Sequence, residues 1–156
     1  MLKENNYKIL LVFVGLPASG KSYTSFHIHQ YFNWLGIKTK IYNCGNYRRN
    51  LCRNNQDALF FDNKNENYLK IRESYLHYAL FDINYYFLKQ NGKIAILDAT
   101  NSTKIRRKKI LKFFDIFGYN IKTIFIENIT IDKNIIEKNI LFKKNSKDYC
   151  NFFIEE

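Results

Sequence analysis

The chain has 156 residues, of which 46% are hydrophobic and 17% aromatic, enough to bury one real core, so a single folded domain is expected and disorder is not. Its formal charge of +11 calls for anionic ligands. Nucleic acid is the lesser candidate, because Lys, Asn and Ile crowd the whole chain and such a bias arises from base composition alone.

Residues 9–14, ILLVFV, are apolar on both faces and read as a central parallel strand. The run breaks at Gly15 into GLPASGKS, which meets G-x-x-x-x-G-K-[ST] at every fixed position. Gly15 and Gly20 permit backbone angles that a Cβ forbids, so that successive N–H groups can turn inward on a polyphosphate. Lys21 reaches the β- and γ-phosphates, and the Ser22 hydroxyl is placed for Mg²⁺. The helix that begins here aims its positive end at the same anion. The apolar run after Lys8 also looks like a secretory leader, but cleavage after Ala18 would destroy the loop, so none is expected. No other run is long enough to cross a bilayer.

A helix is expected over about residues 20–34, with Phe26, Ile28, Tyr31, Phe32 and Leu35 toward the sheet and Gly36 as its stop. His27 and His29 are two apart, point to different faces and cannot share a metal. Residues 38–43, KTKIYN, read as the second strand, which empties into a loop, C-G-N-Y-R-R. That loop belongs to the edge of the sheet where open α/β folds bind ligands, so Arg48 and Arg49 are placed for an anion. The plainer alternative is a solvated basic pair at a helix start. Residues 53–67, Asn- and Asp-rich around Ala58, Leu59, Phe60 and Phe61, suggest a packed loop over the site. Residues 68–90 set Leu69, Arg72, Tyr75, Leu76, Ala79, Leu80, Ile83 and Phe87 at helical spacing, and Asn91-Gly92 ends that helix. Its aromatic stripe is read as core.

Residues 93–98, KIAILD, read as the third strand. A carboxylate closing an apolar strand costs stability unless it meets a cation or a metal. Asp98 is therefore the second anchor of the site, as a holder of the Mg²⁺ shell or as the acceptor of a substrate proton. A mere capping role is less apt, because Ser102 and Thr103 already serve the next helix, expected over 103–117. Arg106, Arg107, Lys108 and Lys109 spread around that helix, and Arg106 is the best placed to face the cleft. Residues 122–126 read as the fourth strand, 132–142 as a last helix, and 143 onward as a polar tail. Cys44, Cys52 and Cys150 are odd in number and lack metal-ligand spacing, which suits packed thiols in a reducing, cytoplasmic compartment. The whole reads as an α/β P-loop NTPase fold, a three-layer sandwich with a mainly parallel sheet of at least four strands.

Three blocks, GLPASGKSY from Gly15, YFNWLGIKTKIYNCGNYRR from Tyr31 and LDATNSTKIRR from Leu97, together resemble the kinase domain of the 6-phosphofructo-2-kinase/fructose-2,6-bisphosphatase family. The likeness runs from about Ile9 to Tyr149, and the order N-W-x-G, G-x-Y-R-R, D-A-T-N-x-T is specific where a phosphate loop alone is not. The resemblance implies ATP-dependent phosphorylation of the 2-hydroxyl of fructose 6-phosphate to give fructose 2,6-bisphosphate. By motif, Gly15, Leu16, Pro17, Ala18, Ser19, Gly20, Lys21, Ser22 and Tyr23 correspond to the ATP cradle, and Asn139 to Lys144, NILFKK, to a second ATP segment. Arg48, Arg72, Thr100 and Arg106 correspond to sugar-phosphate ligands, Lys144 to a lysine touching both substrates, and Asp98 to the proposed catalytic acid. Lys21, Mg²⁺ and Lys144 would surround the migrating group.

Departures from the family are also visible. Ser19 replaces an arginine, Thr130 stands for a cysteine, and the S-P-D-Y block becomes Asn145-Ser146-Lys147-Asp148-Tyr149. No R-H-G phosphatase motif is present in these residues, and four strands are legible where five are usual, so the domain is expected to be truncated, with one bare sheet edge through which it could form a homodimer. The alternatives are a nucleotide-binding fragment of that family with weak or no activity and, less favoured, a P-loop nucleic-acid kinase.

Overall fold

Strand β1 (Lys8–Val14) is the axis of the structure. A computed structural model describes residues 7–51, 65–118 and 120–144. The expected loop over residues 53–67 falls largely outside them, as do Cys52, Cys150 and the block from Asn145 to Tyr149. From Leu10 to Val14 every side chain of β1 is buried, because the strand has neighbours on both sides and helices on both faces. It pairs in parallel with β3 (Ile94–Asp98) on one side and with β4 (Ile121–Glu127) on the other, and β2 (Thr39–Asn43) pairs in parallel with β3. The order is β2-β3-β1-β4, so all four strands carry their C-terminal ends to one edge.

Period-two alternation divides the core. Leu10 and Val12 of β1, with Ala95 and Leu97 of β3 and Tyr42 of β2, face one way, onto Leu76, Ala79, Leu80, Ile83 and Phe87 of α3 (Glu66–Lys89) and Ile110 and Phe114 of α4 (Lys104–Asp115). Leu11, Phe13, Ile94 and Ile96 face the other way, onto Ile28 and Phe32 of α1 (Lys21–Trp34). Two helical layers thus enclose the sheet, as the sequence predicts. Each fully buried side chain of this size stabilises the fold by roughly 1.5–3 kcal/mol relative to leaving it in water.

The long helix α3 matches its expected span within two residues. Asn65 caps it, its side chain accepting from the N–H groups of Asn67 and Tyr68. Its aromatic stripe is only partly core: Tyr75, Tyr86 and Phe87 are buried, whereas Tyr78, Phe81 and Tyr85 are exposed. Thr103 caps α4 by accepting from the N–H of Arg106, as its position predicts.

Two expectations are corrected. The segment read as a loop after β2 is a helix, α2 (Cys44–Leu51), which packs on α3 and is latched by the Tyr47 hydroxyl donating to Asp82 at 2.5 Å. In α1, Phe26, Tyr31 and Leu35 do not face the sheet but are exposed. The inward face is Lys21, Ser25, Ile28 and Phe32, at i, i+4, i+7 and i+11, because the phosphate loop sets the rotation of the helix. The last helix is α5 (Lys133–Lys144). No helix among the described residues is long and apolar enough to cross a membrane.

Candidate active site at the C-terminal edge of the sheet

Leaving β1, the chain makes a turn that only particular backbones allow. Gly15 has φ 145°, and a Cβ there would stand 2.8 Å from the Asn128 carbonyl oxygen and 2.9 Å from Ser19 Oγ. Ala18 and Gly20 are left-handed, with φ 65° and 84°. The loop is held from three directions. Gly15 N–H donates to the Thr100 carbonyl at 3.0 Å, Asn139 Nδ2 of α5 donates to the Ala18 carbonyl at 2.9 Å, and Thr130 Oγ1 donates to the Ser19 carbonyl at 3.4 Å.

Lys21 opens α1 and is buried, 7% exposed, with its Nζ donating to the Leu16 carbonyl at 2.5 Å and to Ser19 Oγ at 3.4 Å. A cation is thus fixed inside the loop by the loop's own oxygens, on the helix end where the backbone dipole favours an anion. Ser22, next along, is exposed. Tyr23 is also exposed and stacks edge-on against His27, ring centroids 4.4 Å apart.

Asp98 ends β3 one strand over and is 3% exposed. Its Oδ2 accepts from Asn43 Nδ2 at 2.6 Å, across the β2–β3 register that sets the two residues side by side. No hydrogen bond among the described residues falls on Oδ1, so one oxygen of a buried carboxylate is open for a metal or for a hydroxyl proton. Asn43 also takes the Asn46 N–H on its Oδ1, which starts α2.

Arg106, in the first turn of α4, is the hub of a second set of contacts. Its Nε donates to Asn101 Oδ1 at 3.0 Å, Nη1 to Glu73 Oε1 at 3.3 Å, and Nη2 to Cys44 Sγ at 4.0 Å. Glu73 of α3 also receives Lys109 Nζ at 2.7 Å. Burial pushes the Glu73 carboxyl up, but the hydrogen bond from Lys109 and the charges of Arg106 and Lys109 outweigh it, so the net shift is downward. Burial pushes the Cys44 thiol up to about 11, against the pull of Arg106. Arg107 instead caps the preceding turn, donating to the carbonyls of Asn101 and Ser102.

Of the predicted residues, the phosphate loop, Lys21, Asp98, Arg106 and Asn139 come together along this edge. Thr100 joins through its carbonyl, while its side chain is exposed. Arg48 and Arg72 stand on α2 and α3, which pack against each other, and both are partly exposed and engaged in contacts. Lys144 ends α5, and its side chain lies outside the described residues. Sequence reasoning missed Asn43, Glu73, Asn101 and Asn128. Asn101, left-handed and fully buried just after a strand, was the one with a legible signal, inside D-A-T-N.

Beside the loop lies a groove of about 840 Å³, walled by Leu16, Pro17, Phe125, Ile129, Ile136 and Ile140. It is large and apolar enough for a flat heterocycle next to a polyphosphate. The arrangement is one cation-bearing anion cradle with an adjoining apolar groove, and, one strand away, a buried carboxylate held by Asn43. That is equipment for transferring a phosphoryl group between two bound molecules.

The family model described as 6-phosphofructo-2-kinase matches residues 1–156. The 6-phosphofructo-2-kinase/fructose-2,6-bisphosphatase 4 of Macaca fascicularis is 42% identical over 147 residues, covering 94% of this chain and 31% of that protein. Isoform 3 of Homo sapiens is 40% identical over 152 residues, covering 96% of this chain and 29% of that protein. The chain therefore spans about a third of the length of these curated relatives. Among solved structures, the Mycobacterium tuberculosis APS kinase CysC in complex with AMPPNP and APS superposes with a TM-score of 0.66 at 18% identity, over 88% of this chain and 72% of that one. At that identity the likeness shows the fold, that of a P-loop kinase.

Proposed function

The chain belongs to the 6-phosphofructo-2-kinase family, and on that premise we propose that it transfers the γ-phosphoryl group of ATP to the 2-hydroxyl of fructose 6-phosphate, giving fructose 2,6-bisphosphate. The observation that carries the reading is the adjacency on one sheet edge of a buried, loop-held Lys21 and a buried Asp98 with one open oxygen.

Phosphoryl transfer asks the protein for positioning and charge neutralisation rather than covalent chemistry. The loop from Gly15 to Ser22 binds the β- and γ-phosphates through inward N–H groups, and the Lys21 ammonium leaves the Leu16 carbonyl for a γ-oxygen. The groove beside Ile136 and Ile140 takes the base, and Asn139 keeps the loop closed from α5. Asp98, held by Asn43 so that its other oxygen points free, orients the attacking hydroxyl or takes its proton. The residues present fit Mg²⁺: Ser22 and Asp98 supply the hard oxygen donors that this ion prefers, and when bound it neutralises charge on the phosphate oxygens. Arg48, Arg72, Thr100 and Arg106, with Lys144, hold the sugar phosphate, and Arg106 does so as part of a fork already anchored on its far side.

The test is product formation from ATP and fructose 6-phosphate by the wild type and by Lys21→Met. Loss of one buried cation at the transferring group is expected to lower turnover at least about 10²-fold. Equal product from both proteins would sink the assignment.

A further inference from the structure

We propose that Asn101 is a positioning residue: it fixes the Arg106 guanidinium to the strand that feeds the phosphate loop and thereby sets where the acceptor's phosphate is held relative to the transferring group. The proposal rests on the reading of Arg106 as a ligand of that phosphate.

Asn101 is 0% exposed and has φ 44°, a left-handed backbone that asparagine tolerates better than most residues. An amide buried this deeply is costly unless both of its ends are satisfied. Both are. Nδ2 donates to the Phe13 carbonyl of β1 at 2.9 Å, and Oδ1 accepts from Arg106 Nε at 3.0 Å. One rigid side chain therefore ties the strand two residues before Gly15 to the cation on α4.

The backbone repeats the tie. Gly15 N–H donates to the Thr100 carbonyl, so consecutive residues of the β3–α4 turn hold Phe13 and Gly15, two residues apart at the strand's exit. Glu73 and Cys44 steady the two other nitrogens of the same guanidinium. These bonds take one N–H from each nitrogen and leave a further N–H on Nη1 and on Nη2 for an anionic oxygen. Arg106 is thus presented as a preset clamp. A misplacement of about 1 Å at such a group costs on the order of 10²-fold in transfer rate.

The experiment is a double-mutant cycle of Asn101→Ala and Arg106→Ala, reading affinity for fructose 6-phosphate and for AMPPNP separately by calorimetry. Each single variant is expected to weaken fructose 6-phosphate about tenfold or more while AMPPNP affinity stays within about threefold. The double variant is expected to bind no more weakly than Arg106→Ala, since nothing is left to position. Additive losses, or equal losses for both ligands, would mark Asn101 as merely structural and overturn the proposal. If Arg106→Ala weakens fructose 6-phosphate and Asn101→Ala does not, the proposal alone falls. If Arg106→Ala is without effect, or the wild type binds no fructose 6-phosphate, the acceptor reading falls and takes the proposal with it. Should Asn101→Ala fail to fold by circular dichroism, Asn101→Gly, which takes the left-handed backbone without strain and still removes the amide, enters the cycle with the same expected pattern.

Discussion

Single residues at this site carry charges whose balance is set by their neighbours. Glu73 shows the consequence most directly, because it is one acid between two cations, Arg106 and Lys109, with the net effect that its carboxyl is held below its ordinary value of 4.5. A lowered folded-state value contributes stability that is complete above the unfolded value and is lost as pH falls through the folded one. The tie between α3 and α4 is thus expected to be whole above about pH 4.5 and to loosen below it. Glu73→Gln should remove that part of the acid sensitivity. At neutral pH it should cost no more than about 1 kcal/mol, because both partners are part-exposed. Urea denaturation of the two proteins at pH 7 and pH 4 checks this: the gap between them should shrink at the lower pH, and a gap that widens contradicts it. Glu73 was not legible in the sequence, since nothing in Y-L-K-I-R-E says which cation the neighbouring helix α4 will bring to it.

Elements differ in how openly they announce themselves. The strands β1 and β3 and the helix α3 are written in their apolar patterns, one continuous and one periodic, and their observed bounds fall within two residues of the expected ones. Helix α2 has no such pattern: it begins Cys-Gly-Asn, and it is organised instead from outside, by Asn43 taking the Asn46 N–H and by Tyr47 on Asp82. Burial and the Asp82 carboxylate raise the Tyr47 hydroxyl well above its usual range, so it stays a donor at all ordinary pH. Helix α1 is misread for the opposite reason. It is aromatic on every side, so Phe26 and Tyr31 look as fit for the core as Phe32, and only the anchored Lys21 chooses between them. The end of α3 offers a test at this scale. Gly92 donates its N–H to the Tyr86 carbonyl, and a Cβ on it would overlap the Tyr86 ring, which is itself buried against Tyr42 and Phe87. Gly92→Ala should therefore destabilise the chain by about 1–3 kcal/mol, the ordinary cost of forcing a packed ring aside. Unchanged thermal unfolding would show that the ring can move freely.

For the molecule as a whole, the site is a property of the sheet. The parallel order β2-β3-β1-β4 puts Asn43, Asp98, Gly15 and Asn128 at four neighbouring strand ends, and the exit of β1 is bonded on both sides, Gly15 to the Thr100 carbonyl and Val14 to the Asn128 N–H. A ligand that closes on the loop therefore reports on the entire fold. AMPPNP at one hundred times its dissociation constant should stabilise the folded chain by about 2.7 kcal/mol. For a domain of this size that corresponds to roughly 5–10 °C in melting temperature, and no shift at saturating AMPPNP would remove the nucleotide from the assignment. The positive charge fits the same picture, since Lys8, Lys21, Lys38, Arg106, Arg107 and Lys109 all donate to acceptors within the chain. The amino-acid sequence by itself determined the phosphate loop, the strand that feeds it, Asp98 as a carboxylate at a strand end, and the family whose blocks these are. It could do so because those features are local: a glycine spacing, an apolar run, a charge where a run stops. Only the tertiary structure decided which face of α1 is inside, that a helix follows β2, and that Asn43 holds Asp98 while Glu73 and Asn101 hold Arg106. Each of those depends on a hydrogen bond or ion pair between residues far apart in the chain, and no local pattern records a distant partner.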